Sequence, residues 1–358
     1  MAEPPLVLQI SNDVRDDGAD NSFVRAFAAL AAEGLVRHRY LAPAVTLLDL
    51  AGVAAMERPD LVLVQSPQSR AWTRPQVDEV LRLLGDPPLV VWEGDAWGGW
   101  LKRPRESNLH WMRRAAAVFS AAGGEQLDLL HRATGAPAYY APNVAPLRFA
   151  ADTADPGPAG REVAFLGTRR TFLGVELLPD DRGRLALVRL LDRMDGCDLA
   201  VYGRSWRGRY ARGPVPYGEQ LTAMRRALVT AGWNRYRRYD GYASDRLPIA
   251  LCAGRVHVTS READLDWLPG PEDGLHRLDT PREAADRVRE LLTADPRELL
   301  AQAARARSWA VRHLTETQFL RHLLAPFLPV AAPRGGPWPH LSQPTPLRLA
   351  GAGQPEHV

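Results

Sequence analysis

What most constrains this chain is a repeated alternation: a short apolar run, then a longer amphipathic stretch, over and over. In the first 141 residues the runs are Leu6–Ile10, His38–Ala42, Leu61–Gln65, Leu89–Glu93, Ala117–Ser120 and Ala138–Ala141. Runs this short suit strands, and the stretches between them carry apolar residues at helical spacing, as at Phe23, Phe27 and Leu30. Asn21 or Ser22 can cap that helix, and Thr73 followed by Pro75 opens another. Strand–helix–strand repetition predicts parallel sheets with helices on both faces.

The rhythm stops at residues 150–161, a stretch rich in Pro and Gly with neither period, and then restarts. Strands are expected at Val163–Leu166, Leu199–Tyr202 and Arg255–Thr259. Helices are expected at Arg184–Met194, Glu219–Thr230, Asp245–Ala253, Pro281–Leu292 and Pro296–Leu314. The reading is α/β: a domain over 1–150, a linker over 151–161 and a second domain over 162–330. Residues 331–358, again rich in Pro and Gly, are expected to be a disordered tail. Two such domains predict a cleft faced by the carboxyl ends of both sheets, where ligands of these folds bind.

A length of 358 residues, 46% of them hydrophobic, is enough for two buried cores. The formal charge is only +3, and Lys102 is the single lysine among 45 basic residues. There is no concentrated basic stripe. The densest group, Arg235, Arg237 and Arg238 among Trp233, Tyr236 and Tyr239, is too short to predict a nucleic-acid partner. Cys197 and Cys252 are far apart, which fits a reducing cytoplasm and argues against a disulfide framework or a zinc site. No apolar run approaches bilayer length, so stable membrane insertion is not expected. No His/Cys/Asp set has metal spacing, and GxGxxG is missing after the first strand, which disfavours a dinucleotide-dependent dehydrogenase. His257, between Val256 and Val258, reads as a core or edge histidine.

Several segments together resemble group 1 (family four) glycosyltransferases of GT-B architecture. Ala141–Phe149 is similar to the junction closing their first domain, and Val118–Leu127 to the strand, glycine turn and helix before it. Val163–Gly167 and Leu199–Gly203 resemble the first two strands of the donor-binding domain. Gly213–Tyr217 resembles its base-pocket loop, and Tyr242–Gly254 the "RLFEALAAG" helix of the CgeB-like, spore-maturation-type branch. The resemblance spans about residues 5–325. It implies two Rossmann-like domains, with a helix at 315–324 returning to the first. It also implies metal-independent, retaining transfer of a sugar from a nucleotide diphosphate to an unidentified acceptor, with no other cofactor. One departure stands out: many members carry a Glu, seven residues, then a second Glu that contacts the ribose, where this chain has Gly241 and Ile249. A GT-B-shaped protein that binds a nucleotide or glycan without turnover is the alternative.

Transfer from a nucleotide sugar requires charge on the leaving phosphates to be stabilised, which guanidinium groups and oriented backbone N–H groups can do. The donor-side candidates are Gly167, Arg169, Arg170, Gly203, Ser244, Asp245 and Arg246, of which Arg246 is favoured and Asp245 reads as a cap beside it. For the base, Val215 lies between two prolines and Tyr217 could stack. In the first domain, Glu93 and Asp95 sit among Trp92, Trp97 and Trp100, whose faces suit the apolar side of a sugar. Asp95, and less so Glu93, are the catalytic candidates; helix capping is the competing role. The acidic loop from Ser11 to Asp20 is expected near the acceptor.

Overall fold

A computed structural model of the chain describes residues 3–11, 23–41, 47–65, 72–97, 104–157, 162–171, 175–176 and 179–345. The first domain runs β1 (Leu6–Ser11), α1 (Val24–Ala32), β2 (Arg37–Leu41), α2 (Leu47–Met56), β3 (Leu61–Gln65), α3 (Arg74–Leu84) and β4 (Leu89–Glu93). It continues with α4 (Glu106–Met112), β5 (Ala117–Ser120), α5 (Glu125–Thr134), β6 (Ala138–Tyr140) and the single turn α6 (Leu147–Ala150). All six strands are parallel, in the order β2-β1-β3-β4-β5-β6. Neighbouring residues of one strand enter opposite cores: Val7 packs with α1, Leu8 with α2 and α3. Burial on both faces is why these strands read as continuous apolar runs rather than as alternation.

The second domain runs β7 (Glu162–Leu166), α7 (Pro179–Asp192), β8 (Asp198–Tyr202), β9 (Ala211–Gly213), α8 (Gln220–Arg225), β10 (Val229–Ala231), α9 (Arg246–Cys252) and β11 (Val256–Ser260). Then come β12 (Leu275–Leu278), α10 (Pro281–Thr293), α11 (Pro296–His313) and α12 (Glu316–Leu324). Its sheet is also parallel, in the order β12-β11-β10-β7-β8-β9, so the chain reverses its direction of travel between β7 and β10.

α12 lies on the first domain. Phe319 stacks on Phe23 with centroids 5.2 Å apart and meets the Trp92 edge. Glu316 accepts the Leu147 N–H at 2.9 Å, and Arg321 pairs with Glu33.

Three sequence expectations are corrected. The helix expected at 219–230 stops at Arg225, and Val229–Ala231 is a buried central strand. β9 and β12 were not expected at all; both are short edge strands with arginines in them. The tail is ordered over 331–345: Trp338 is buried against Phe319 and His322 and donates to the His313 carbonyl at 2.6 Å, while Gln343 donates to the His322 carbonyl. Burying one tryptophan outweighs the entropic preference of a Pro- and Gly-rich segment for disorder. Residues 346–358, the helix-cap positions Asn21 and Ser22, and residues 158–161 of the linker lie outside the described residues.

Candidate functional site

In an open parallel sheet, a ligand crevice forms outside the carboxyl ends of the two strands where the order reverses. In the second sheet these are β7 and β10, and Arg184 of α7 spans them. Its guanidinium donates to the Thr168 carbonyl beyond β7 at 2.9 Å and twice to the Trp233 carbonyl beyond β10, at 3.1 and 2.7 Å. Burial pushes its pKa down to about 10, and the nearby charges of Arg246 and Arg235 push the same way, with Asp181 opposing them. Arg235 is paired with the buried Asp181 at 3.2 Å. Arg246 is half-buried and donates to Ser244 Oγ at 3.4 Å. Two cations therefore converge on a crevice that they line with Asn234, Ser244 and Thr259. The crevice has a volume of about 20 Å³, room for a water molecule.

Behind it runs a buried polar chain. The Ser244 N–H donates to Asn234 Oδ1 at 3.3 Å, the Asn234 N–H donates to Ser260 Oγ at 2.9 Å, and Ser260 Oγ donates to Glu262 at 2.5 Å. Burial raises the Glu262 carboxyl to about 7 against the pull of its hydrogen bonds.

The segment from Trp233 to Ala243 lies against the first domain. The Tyr239 hydroxyl donates to the Trp97 carbonyl, and the Gly123 N–H donates to the Asp240 carbonyl at 2.7 Å. The Tyr140 hydroxyl donates to the Gly241 carbonyl at 2.6 Å, and the Asn143 amide to the Ala243 carbonyl at 2.9 Å. Tyr236, Tyr239 and Tyr242 pack with Ala96, Ala121 and Ala122 at this junction. Burial pushes the Tyr242 phenol up; the carboxylates of Asp95 and Asp245 add to the push and Arg246 opposes it. The charges of Asp95 in one domain and of Asp245 and Arg246 in the other thus act on one buried phenol.

The sequence candidates divide. Asp95 is exposed at the junction. Glu93 is buried and accepts the Asp95 N–H at 3.1 Å, so it shapes the turn that presents Asp95. Asp245 stands at the α9 N-cap position but makes no side-chain cap bond, contrary to the capping role expected of it. Gly167 and Gly203 pack on each other: a side chain at Gly203, where φ is +147°, would run into the Gly167 carbonyl, which also accepts from Trp206 at 2.5 Å. Arg169 pairs with the buried Glu176 at 2.6 Å, and Arg170 is exposed. Tyr217 packs on Phe149 with Arg148 at 5.3 Å from its ring, and Val215 is half-buried before it. Arg235, Arg237 and Arg238 lie over the rings of Tyr236, Trp233 and Tyr239 as structural contacts. His257 is buried in the core and bonds Thr230 at 2.9 Å. The loop after β1 and Trp100 lie outside the described residues.

Sequence reasoning missed Arg184, Asn234, Tyr242 and Glu262. The sheet order between β7 and β10 is the signal that finds Arg184, and it was hidden because β10 read as helix.

A family profile described as "Glycosyl transferase-like" matches residues 182–325, most of the second domain. The chain is similar in fold to HepE (Alr3699) of Anabaena, solved with UDP and glucose: 12% identity, TM-score 0.55, covering 90% of this chain and 98% of that one. It is similar to T4 phage BGT, solved with its UDP-glucose substrate, at 13% identity and TM-score 0.54, covering 89% and 98%. It is also similar to sucrose-phosphate synthase of Thermosynechococcus elongatus, at 14% identity and TM-score 0.56, covering 87% and 94%. These likenesses establish the architecture, two Rossmann-like domains of the GT-B type. Comparison with curated protein sequences finds no match. Among the described residues no helix is long and apolar enough to cross a membrane.

Proposed function

We propose that the protein transfers a glycosyl group from a nucleotide-diphosphate sugar to an acceptor hydroxyl. The observation that carries this reading is the convergence of Arg184 and Arg246 at the reversal point of the second sheet. Two like charges held together where one is already pushed down in pKa suit a dianionic partner, and the leaving diphosphate of a nucleotide sugar is one. The structures it resembles were solved with UDP or UDP-glucose, which makes a UDP-sugar the first donor to try.

In this reading Arg246 binds the distal phosphate and Arg184 holds the two strand ends beneath it. Asp95 faces the transferred sugar or the incoming hydroxyl from the other domain, with Glu93 fixing its turn. Val215 and Tyr217 border the base. The crevice admits the donor once it widens. The arginines stabilise the leaving group without a metal and no other cofactor takes part; transfer retains configuration, as in the CgeB-like branch whose motifs the chain resembles. The acceptor side is the first domain, the linker joins the two over 151–161, and the protein works in the cytoplasm.

The test is release of the nucleoside diphosphate from a panel of nucleotide sugars, with and without polyol and glycan acceptors. Turnover of one donor supports the reading. Saturable donor binding with no release across the whole panel would replace it with a non-catalytic binding role.

A further inference from the structure

A second, larger cavity, of about 560 Å³, is lined in part by Asp240 and Gly241 and shares no lining residue with the arginine crevice. That falls within the roughly 300–1,000 Å³ typical of small-molecule sites. The first domain contributes Tyr139 and Tyr140, the second Asp240, Asp264, Asp266 and Trp267, and the ordered C-terminal segment closes one side at Leu341 and Ser342.

What these groups still offer a ligand is restricted by what they already do. The Trp267 indole N–H donates to the Asp264 carbonyl at 3.1 Å, and one ring face stacks on Trp309 with centroids 6.0 Å apart. The Tyr140 hydroxyl is committed to Gly241. Trp267 and Tyr140 therefore present ring surface rather than donors. The carboxylates are acceptors, two of them already placed against positive partners. Asp266 lies 3.2 Å from Arg277, and the Asp240 carboxylate sits where a Gly124 side chain would be, at the start of α5. With three carboxylates in its wall and no lysine or arginine among the lining residues, the cavity disfavours an anionic nucleotide. Among the described residues no group of three or more His, Cys, Asp or Glu is placed to hold a metal ion.

We propose that this cavity binds a neutral saccharide unit. A pyranose has an apolar C–H face that suits the ring surface of Trp267, and hydroxyl donors around its rim that suit the carboxylates of Asp264 and Asp240. Glycosyl transfer explains why a glycan would be there, and the inference rests on that reading only for the ligand's origin: binding here needs no donor and uses none of the arginine crevice.

The full chain, without nucleotide, is titrated with methyl glycosides of glucose, galactose, mannose and N-acetylglucosamine and with maltose and cellobiose, by calorimetry and tryptophan fluorescence. At least one should bind saturably. Ser342→Trp, an exposed position whose new side chain fills the cavity mouth, and Trp267→Ala should each weaken that binding at least tenfold. Ser342→Trp should leave the thermal shift given by nucleotide sugars unchanged; a loss of that shift too would show a global defect and overturn the assignment to this cavity. No saturable binding by any saccharide overturns the proposal, as does binding untouched by Ser342→Trp or weaker than that of choline, the cationic control. Loss of nucleotide-sugar binding in the unmutated protein, by contrast, would count against the transferase reading alone.

Discussion

The Tyr140 hydroxyl and the Gly241 carbonyl meet at 2.6 Å, joining the last strand of the first sheet to the segment that leaves β10 in the second. Gly241 has φ +67°, and a Cβ there would lie 2.7 to 2.9 Å from the Tyr140 ring. A larger side chain at this position would have to displace Tyr140 from the junction. Gly241→Ala should cost about 2–4 kcal/mol, combining a left-handed backbone with overpacking. Gly213→Ala, with φ +80° but nothing within 4 Å, should cost only about 1–2 kcal/mol. Denaturant unfolding of both compares them; equal losses would mean that Tyr140 yields freely.

Arg246→Ala should weaken binding of a nucleotide sugar by about 1.5–3 kcal/mol, the range for hydrogen bonds to charged groups. Binding of the bare nucleoside should barely change. Calorimetry with both ligands separates the cases, and equal losses would make Arg246 a structural residue.

Asp95→Asn keeps the shape but removes the charge. Transfer should slow by about 10²-fold or more while donor affinity holds, because the arginines proposed to bind the phosphates lie in the other domain. The side chain is exposed, so melting temperature should move little. Normal turnover in the variant would remove Asp95 from the chemistry.

Buried groups set the pH response. Burial holds His38, His276 and His322 near 4 and His257 near 3, below the usual 6.5. Between those values and 6.5 the unfolded chain binds more protons, so their contribution to stability is present above pH 6.5 and lost on acidification. Glu262, raised to about 7, acts oppositely: between about 4.5 and 7 the native state holds the extra proton, and stability falls as pH rises. Glu262→Gln should remove that fall, at most about 1.4 kcal/mol per pH unit. Chemical denaturation of both proteins from pH 4.5 to 8 reads the difference; parallel curves would show that Glu262 keeps an ordinary carboxylate pKa.

Much of the fold was legible because parallel strands buried on both faces leave short apolar runs that survive in the sequence. β10 was not, since Val229–Ala231 follows α8 with no Gly or Pro between, and its apolar residues extend the helical pattern. β9 and β12 are edge strands whose polar residues resemble loop. Of the candidate site, the positions of Arg246 at the start of α9 and of Asp95 just after β4 were legible from the strand and helix ends beside them. Arg184 could not: in a chain whose basic residues are almost all arginine, composition gives no sign of which one is buried. Its importance depends on two carbonyls 65 residues apart in sequence, Thr168 and Trp233, being brought together by a strand crossover.

α12 and Trp338 complete the hydrophobic core that contains Phe23, Phe27 and Trp92. During synthesis on the ribosome, the amino-terminal half therefore emerges long before the residues that cover it. Until about residue 340 has left the exit tunnel, the aromatic face of α1 has no lid, and the nascent chain presents it to chaperones or to neighbouring polysomes. The order of translation and the order of core completion run in opposite directions in this molecule, so slow elongation through the second half prolongs the interval in which the first half is prone to aggregate.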